Sequence, residues 1–349
     1  MSTVPQTQRA LLVPSLKTLT LSANHPIPTP GPNQVLLHVK IAGLNPHDRK
    51  ARDTGLFIAN ILPAVLANDV VGTVVSLGHG VTSLSIGDRI VSHGGLTNDS
   101  SQNGLQEYAL ADIGACAKIP DGVTDDEAAT LPVNVIASVV GLFRDLEIPA
   151  PWSGNGTFDY RSAMVLIIGG GSNCGKFAVQ LARLAGIGRI VVVGGDETEL
   201  KRMGATDVVD RHGGHDVVLQ RVRGVVGDEL VYVLDAVNPP DRQILGIDAL
   251  SNTKPGIVAR LLPNGPVDES RVKAGKKAGF EVRDVHGFSQ LHPELTAPFW
   301  DALPGYLIEG KIRPLGYEVV EGLEVDVVKS VLDRYRDGER VVKTHVHLV

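Results

Sequence analysis

Over residues 1–125 the apolar positions fall in short strand-sized runs broken by glycine and proline. Residues 35–41 read as a strand following the Pro/Gly-rich stretch 28–32, and residues 70–75 as another, with Gly78, Gly80 and Gly87-Asp88 as turn punctuation. Short strands dotted with glycine predict a small barrel-like β domain.

The pattern changes near residue 124. Thr124 with Glu127 three residues on has the form of a capping box, and a helical stretch follows to about residue 147, broken at Pro132. From 164 to 285 strands alternate with helices. The strands are predicted at 164–168, 189–193, 207–209, 230–234, 256–261 and 280–285, and the helices near 174–185, 196–203, 216–223 and 240–249, with Gly186 and Gly204 at helix C-caps. Such alternation predicts a parallel sheet covered by helices on both faces. The remainder predicts a helix at 293–310, a strand at 317–320, a helix at 324–336 and a strand at 344–348.

Length and charge narrow the classes. A chain of 349 residues favours two domains. Its net charge is −6, with no basic run, which argues against nucleic acid and against a polybasic membrane-surface role. No apolar run reaches the roughly 18 residues of a membrane span, and no secretory pattern opens the chain, so a cytoplasmic protein is expected. The cysteines are Cys116 and Cys174, too few for a disulfide framework or a four-cysteine zinc lobe.

The sharpest local signal lies at 165–183. A buried strand enters Gly169-Gly170-Gly171-Ser172-Asn173-Cys174-Gly175, and an amphipathic helix leaves it. Glycines permit a tight turn and let backbone N–H groups approach a diphosphate, and the helix N-terminus adds partial positive charge. Ser172 stands where the strict pattern has its middle glycine. Strand, turn, helix and second strand nevertheless fall in the order of a dinucleotide site. At the end of the next strand an NAD site places an acid for the ribose 2′-OH. Here Gly194 and Gly195 occupy that place, which leaves room for a 2′-phosphate, with Lys201, Arg202 and Arg211 as candidate cations; Asp196 argues the other way. The balance favours NADPH over NADH.

Several short motifs then fall in a recognisable order. Asn45-Pro46-His47-Asp48-Arg49-Lys50 resembles the N-P-x-D-x-K turn of the medium-chain dehydrogenase/reductases. Gly72-Thr73-Val74 followed by Gly87-Asp88-Arg89-Ile90, then Gly104 to Tyr108, Lys118-Ile119-Pro120, Ala128 to Pro132 and Glu309-Gly310-Lys311-Ile312 resemble further segments of that family. The likeness covers nearly the whole chain. It is strongest to the zinc-independent quinone oxidoreductase and enoyl reductase branch, and within it to fungal trans-acting enoyl reductases.

The resemblance implies an α/β fold of two parts. A GroES-like β-barrel catalytic domain would span 1–130 and 300–349, and a doubly wound Rossmann sheet 131–299, with the active site in the cleft. Zinc-dependent members carry a Cys near Asn45 and a His-Glu pair near Asn68-Asp69; neither is here, so no metal is expected. Asn45, Lys50 and Ser138 are the implied catalytic residues, Ser138 standing beside Ala137, where relatives often carry Thr. The strand ends at 235–238 and 261–264, including Val237 and Leu262, would line the nicotinamide. The implied activity is NADPH-dependent, zinc-independent hydride transfer to an enone, quinone or polyketide-type enoyl substrate, free or carrier-bound, by a monomer or homodimer. The alternative is a reductase-like scaffold that binds the cofactor but performs non-redox chemistry or binds a partner.

Overall fold

The computed structural model describes residues 4–154, 156–262, 265–273 and 275–348. Two compact units emerge. One takes in the chain up to Val133, Phe288–Gly310 and the chain from Pro314 on; the other comprises Asn134–Gly287 and Lys311–Arg313.

The amino-terminal elements are β1 (Thr7–Val13), β2 (Thr20–Pro26), β3 (Gln34–Leu44), α1 (Pro46–Thr54), β4 (Ala64–Val65), β5 (Asp69–Leu77), β6 (Arg89–His93), β7 (Tyr108–Asp112), β8 (Cys116–Lys118) and α2 (Asp125–Ala129). The second unit follows with α3 (Pro132–Val140), β9 (Met164–Ile168), α4 (Asn173–Ala185), β10 (Arg189–Val193), α5 (Glu197–Met203), β11 (Asp207–Val209), α6 (Gly214–Val226), β12 (Tyr232–Asp235), α7 (Ile244–Ala249), β13 (Gly256–Arg260) and β14 (Phe280–Asp284). The chain then returns to the first unit as α8 (Pro293–Ile308), β15 (Tyr317–Glu321), α9 (Val325–Arg336) and β16 (Lys343–His347).

The first unit packs the small sheet β2-β1-β4 and the larger sheet β15-β16-β3-β5-β6-β8, with β7 also paired to β3. Its core joins Leu11, Leu37, Leu44, Leu66 and Ile90 to Val328, Val331 and Leu332 of α9. Residues 288–299, expected in the Rossmann part, belong here. The hydroxyl of Ser289 accepts from Trp300 Nε1 at 3.0 Å and bonds His93 Nδ1 at 3.1 Å, tying the start of α8 to β6.

The segment read as a turn at 45–50 opens a nine-residue helix, α1. Asn45 is extended at its N-cap, Pro46 pre-sets the first helical φ, and the Asp48 carboxylate accepts from the Asn45 backbone N–H at 2.8 Å.

The second unit is a six-stranded parallel sheet in the order β11-β10-β9-β12-β13-β14. The unbroken apolar runs of β9 and β10 are what a strand buried on both faces requires. The chain starts in the middle, winds out to β11, returns to β12 and winds out to β14. This is the doubly wound Rossmann order, with its switch point between β9 and β12. Among the described residues no helix is long and apolar enough to cross a membrane.

Candidate active site

At the switch point the backbone closes tightly on itself. The amides of Gly169 and Gly170 both donate to Val193 O, at 3.0 and 3.2 Å, and Gly169 sits at φ +96°. A Cβ on Gly170 would strike Val192 and Gly194 O, and one on Gly175 would strike Gly169 O, so neither position accepts a side chain. Gly171 differs: a Cβ there would find nothing closer than Gly195 Cα at 3.5 Å. Its missing side chain leaves open the space in front of the α4 N-terminus.

Ser172 is the N-cap of α4. Its hydroxyl donates to Gly169 O at 2.8 Å and accepts from the Gly175 amide at 3.0 Å. Asn173 and Cys174 follow as the first two residues of the 13-residue helix. The Cys174 thiol donates to Asn134 Oδ1 at 3.5 Å, which fastens the turn to α3.

At the end of β10, Gly194 has φ +77° and the Arg211 side chain lies over it, its Cδ 3.0 Å from where a Cβ would stand. The Arg211 guanidinium has no hydrogen-bond or ion-pair partner among the described residues. Lys201 is exposed and paired with Glu197 at 3.4 Å. Asp196, the residue that argued for NADH, caps α5 by accepting from the Glu199 amide at 2.7 Å. Beyond β12, Val237 packs on Gly169, and beyond β13, Leu262 offers its carbonyl to Gln243 Nε2 at 3.0 Å. Residues 263 and 264, part of the expected nicotinamide wall, lie outside the described residues.

Ser138 requires correction. It is fully buried in α3, and its single hydroxyl proton is shared between Asn134 O and Cys174 O, both at 2.8 Å. With its donor spent on two carbonyls, Ser138 staples α3 to the start of α4 and does not face a ligand.

In the first unit, sequence-distant residues form a buried polar cluster. Lys343 is ion-paired with Asp69, and its ammonium also donates to Asn45 Oδ1 at 2.9 Å. The Asn45 amide in turn donates to Asp69 Oδ2 at 2.7 Å, and the Val133 amide donates to Asp69 Oδ1 at 2.7 Å. Burial alone would raise the Asp69 carboxyl; Lys343, Val133 N–H and Asn45 outweigh it and hold it below its ordinary range. The Asn45 side chain, expected to face a ligand, is therefore engaged within the protein. Lys343 was not assigned a role from sequence.

His47 Nε2 bonds Asn68 Oδ1 at 2.9 Å. Lys50, half-buried on α1, has no side-chain hydrogen bond or ion pair among the described residues; burial and then the Arg49 charge pull its amine below the ordinary range. Among the described residues no three His, Cys, Asp or Glu side chains converge as metal ligands. His345 and His347, the pair on the final strand, both hydrogen-bond Asp126 Oδ1, at 2.8 and 3.0 Å.

Residues 31–122 match the alcohol dehydrogenase GroES-like domain. The chain is 29% identical over 342 residues to the dehydrogenase orsE of Emericella nidulans, covering 93% of this chain and 94% of that one. It is 33% identical over 347 residues to the trans-enoyl reductase tndF of Aspergillus flavipes, covering 93% and 94%. The chain is a medium-chain dehydrogenase/reductase. The two-part fold expected of that superfamily is present, and the fungal enoyl reductases are among this medium-chain dehydrogenase/reductase's relatives. A mycobacterial protein, Rv1454c, solved with NADPH, has the same fold at a TM-score of 0.72 and 22% identity, covering 98% of this chain and all of that one. As a member of this superfamily the chain is an oxidoreductase.

Proposed function

We propose that this chain is an NADPH-dependent, zinc-independent reductase that delivers hydride to a carbon conjugated to a carbonyl, in an enone, a quinone or a polyketide-type enoyl thioester. The end of β10 carries the cofactor choice. Gly194 takes the place of the acid an NAD site would use, Asp196 is spent on capping α5, and the aliphatic stem of Arg211, whose guanidinium has no partner among the described residues, lies over that glycine. The substrate class is supported by the names of the relatives, among them trans-enoyl reductases.

The second unit fits such a nucleotide. Residues 169–175 present a turn where a side chain is excluded at Gly170 and Gly175 and absent at Gly171, at the positive end of α4. They would hold the diphosphate, with Arg211 and Lys201 receiving the 2′-phosphate. When bound, NADPH supplies the hydride. In the first unit, Lys50 offers an N–H donor to a substrate carbonyl oxygen, where negative charge develops as the enolate forms. Asn45 acts through α1. Its amide, fixed between Asp69 and Lys343, anchors the helix that presents Lys50. The Lys343 ammonium beside Asn45 and Asp69 would repel a dication, which supports a metal-free reaction.

Titration with NADPH and NADH, followed by loss of reduced-nicotinamide absorbance against enones, quinones and enoyl thioesters, tests the proposal. Arg211→Ala should weaken NADPH by about 10- to 100-fold and leave NADH unchanged, the loss expected when a charged hydrogen bond goes. Lys50→Met should lower kcat by about tenfold or more with NADPH affinity retained. Binding without turnover on every acceptor would favour the non-redox scaffold instead. Elemental analysis that found stoichiometric zinc would overturn the metal-free assignment.

A further inference from the structure

Two chain segments leave the carboxyl edge of the sheet: residues 236–243 after β12 and residues 261–262 after β13. One side chain bridges them. Gln243 is 1% exposed, and its amide donates to Asn238 O at 2.9 Å and to Leu262 O at 3.0 Å. Its Oε1 accepts from Arg260 Nη1 at 2.8 Å. Arg260, itself buried, spends the rest of its guanidinium on Asp284, at 2.5 Å, and on Gly265 O, at 2.7 Å.

The arrangement has one solution. Arg260 only donates, so it must face the amide oxygen; flipping Gln243 would set its NH2 against a guanidinium and leave two carbonyls without donors. The strut is also unnecessary for pairing the strands. β12 and β13 already run in parallel register from Tyr232↔Ile257 to Asp235↔Arg260. Gln243 acts beyond that ladder, where it fixes the gap between the segments that carry Val237 and Leu262. The 236–243 segment is also tied to the end of β12, by the Asp235 carboxylate accepting from the Asn238 backbone amide at 2.9 Å.

Open α/β sheets receive a dinucleotide across the switch point, beyond the carboxyl ends of the strands. With the diphosphate at 169–175 and the adenosine half towards β10, the other half lies over β12 and β13. We infer that Gln243, aimed by Arg260, is a positioning residue for the nicotinamide half of the cofactor alone, an assignment that rests on the nucleotide site proposed above.

The test compares two ligands on the full-length protein: NADPH, and 2′-phospho-ADP-ribose, which lacks the nicotinamide. Calorimetric affinities are measured for the wild type, Gln243→Ala and Gln243→Glu. Gln243→Glu keeps an acceptor for Arg260 but has no donor for the two carbonyls. Both variants should bind NADPH about tenfold more weakly, with the fragment changed by less than about twofold. Should Gln243→Ala fail to fold, Gln243→Glu carries the test. Equal weakening of both ligands in Gln243→Glu, or no weakening of either, overturns the inference. A wild type that binds the fragment and NADPH normally, beside such a result, leaves the cofactor site standing. A wild type that binds neither overturns that site itself.

Discussion

Lys343 and Asp69 form an ion pair whose side chains are 1% and 0% exposed, joining β16 to β5. Two charges withdrawn from water depend on each other, because removing one leaves the other uncompensated. Lys343→Met should therefore cost about 3–5 kcal/mol of unfolding free energy, measured by denaturant titration. Because the folded Asp69 carboxyl lies below its ordinary 3.8, its contribution is present above that pH and is lost as pH falls through the folded value. The gap between wild type and Lys343→Met should accordingly be full above pH 4 and shrink as pH falls below 3.8, and a gap that stays constant through that fall would refute the pairing.

Two glycines of the same turn should respond in opposite ways. Gly175→Ala drives a methyl into Gly169 O and should destabilise the protein by about 1–3 kcal/mol. Gly171→Ala meets nothing closer than 3.5 Å, so its stability should stay within about 0.5 kcal/mol of wild type. Its methyl would stand in the space in front of α4, so NADPH affinity should fall by about tenfold or more. Melting curves and fluorescence titrations of the two variants separate the effects.

Ser138→Ala removes a hydroxyl that only bridges the carbonyls of Asn134 and Cys174. Stability should drop by about 1 kcal/mol while kcat is retained. A large fall in kcat with native melting behaviour would restore Ser138 to the chemistry.

Two enclosed imidazoles set an acid limit. Burial holds His93 and His345 at about 4, well under their ordinary 6.5. In the unfolded chain both take up protons as pH drops below 6.5, whereas the folded forms do not until about 4. Their contribution is full above 6.5 and declines across that window, by up to about 3 kcal/mol each. Denaturation midpoints measured from pH 7 to pH 4 should fall, and His93→Gln should make the decline shallower.

The sheet of the second unit was legible because its central strands β9 and β10 are apolar runs closed by glycines. The predicted 164–168, 189–193 and 207–209 coincide with β9, β10 and β11. The first unit was less so. β2 has no buried residue, and α1 buries only Asp48, Ala51 and Arg52, so neither carries a hydrophobic period. Asn45-Pro46 reads as a turn initiator until the Asp48 cap is seen to complete a helix start. Lys343 and Asp69 are 274 residues apart, and no local pattern announces such a pair. Ser138 could be placed on a helix, but the direction of its hydroxyl depends on α4 lying alongside.

The serine at the head of α4 decides when the turn at residues 169–175 acquires its shape. Ser172 satisfies the Gly175 amide and the Gly169 carbonyl from within, so the loop is closed by its own hydrogen bonds. The conformational entropy of that segment is then lost during folding and not on association. If residues 169–175 hold the diphosphate as proposed, cofactor capture becomes a docking event onto a preformed cradle, with backbone positions that should be the same before and after the nucleotide arrives.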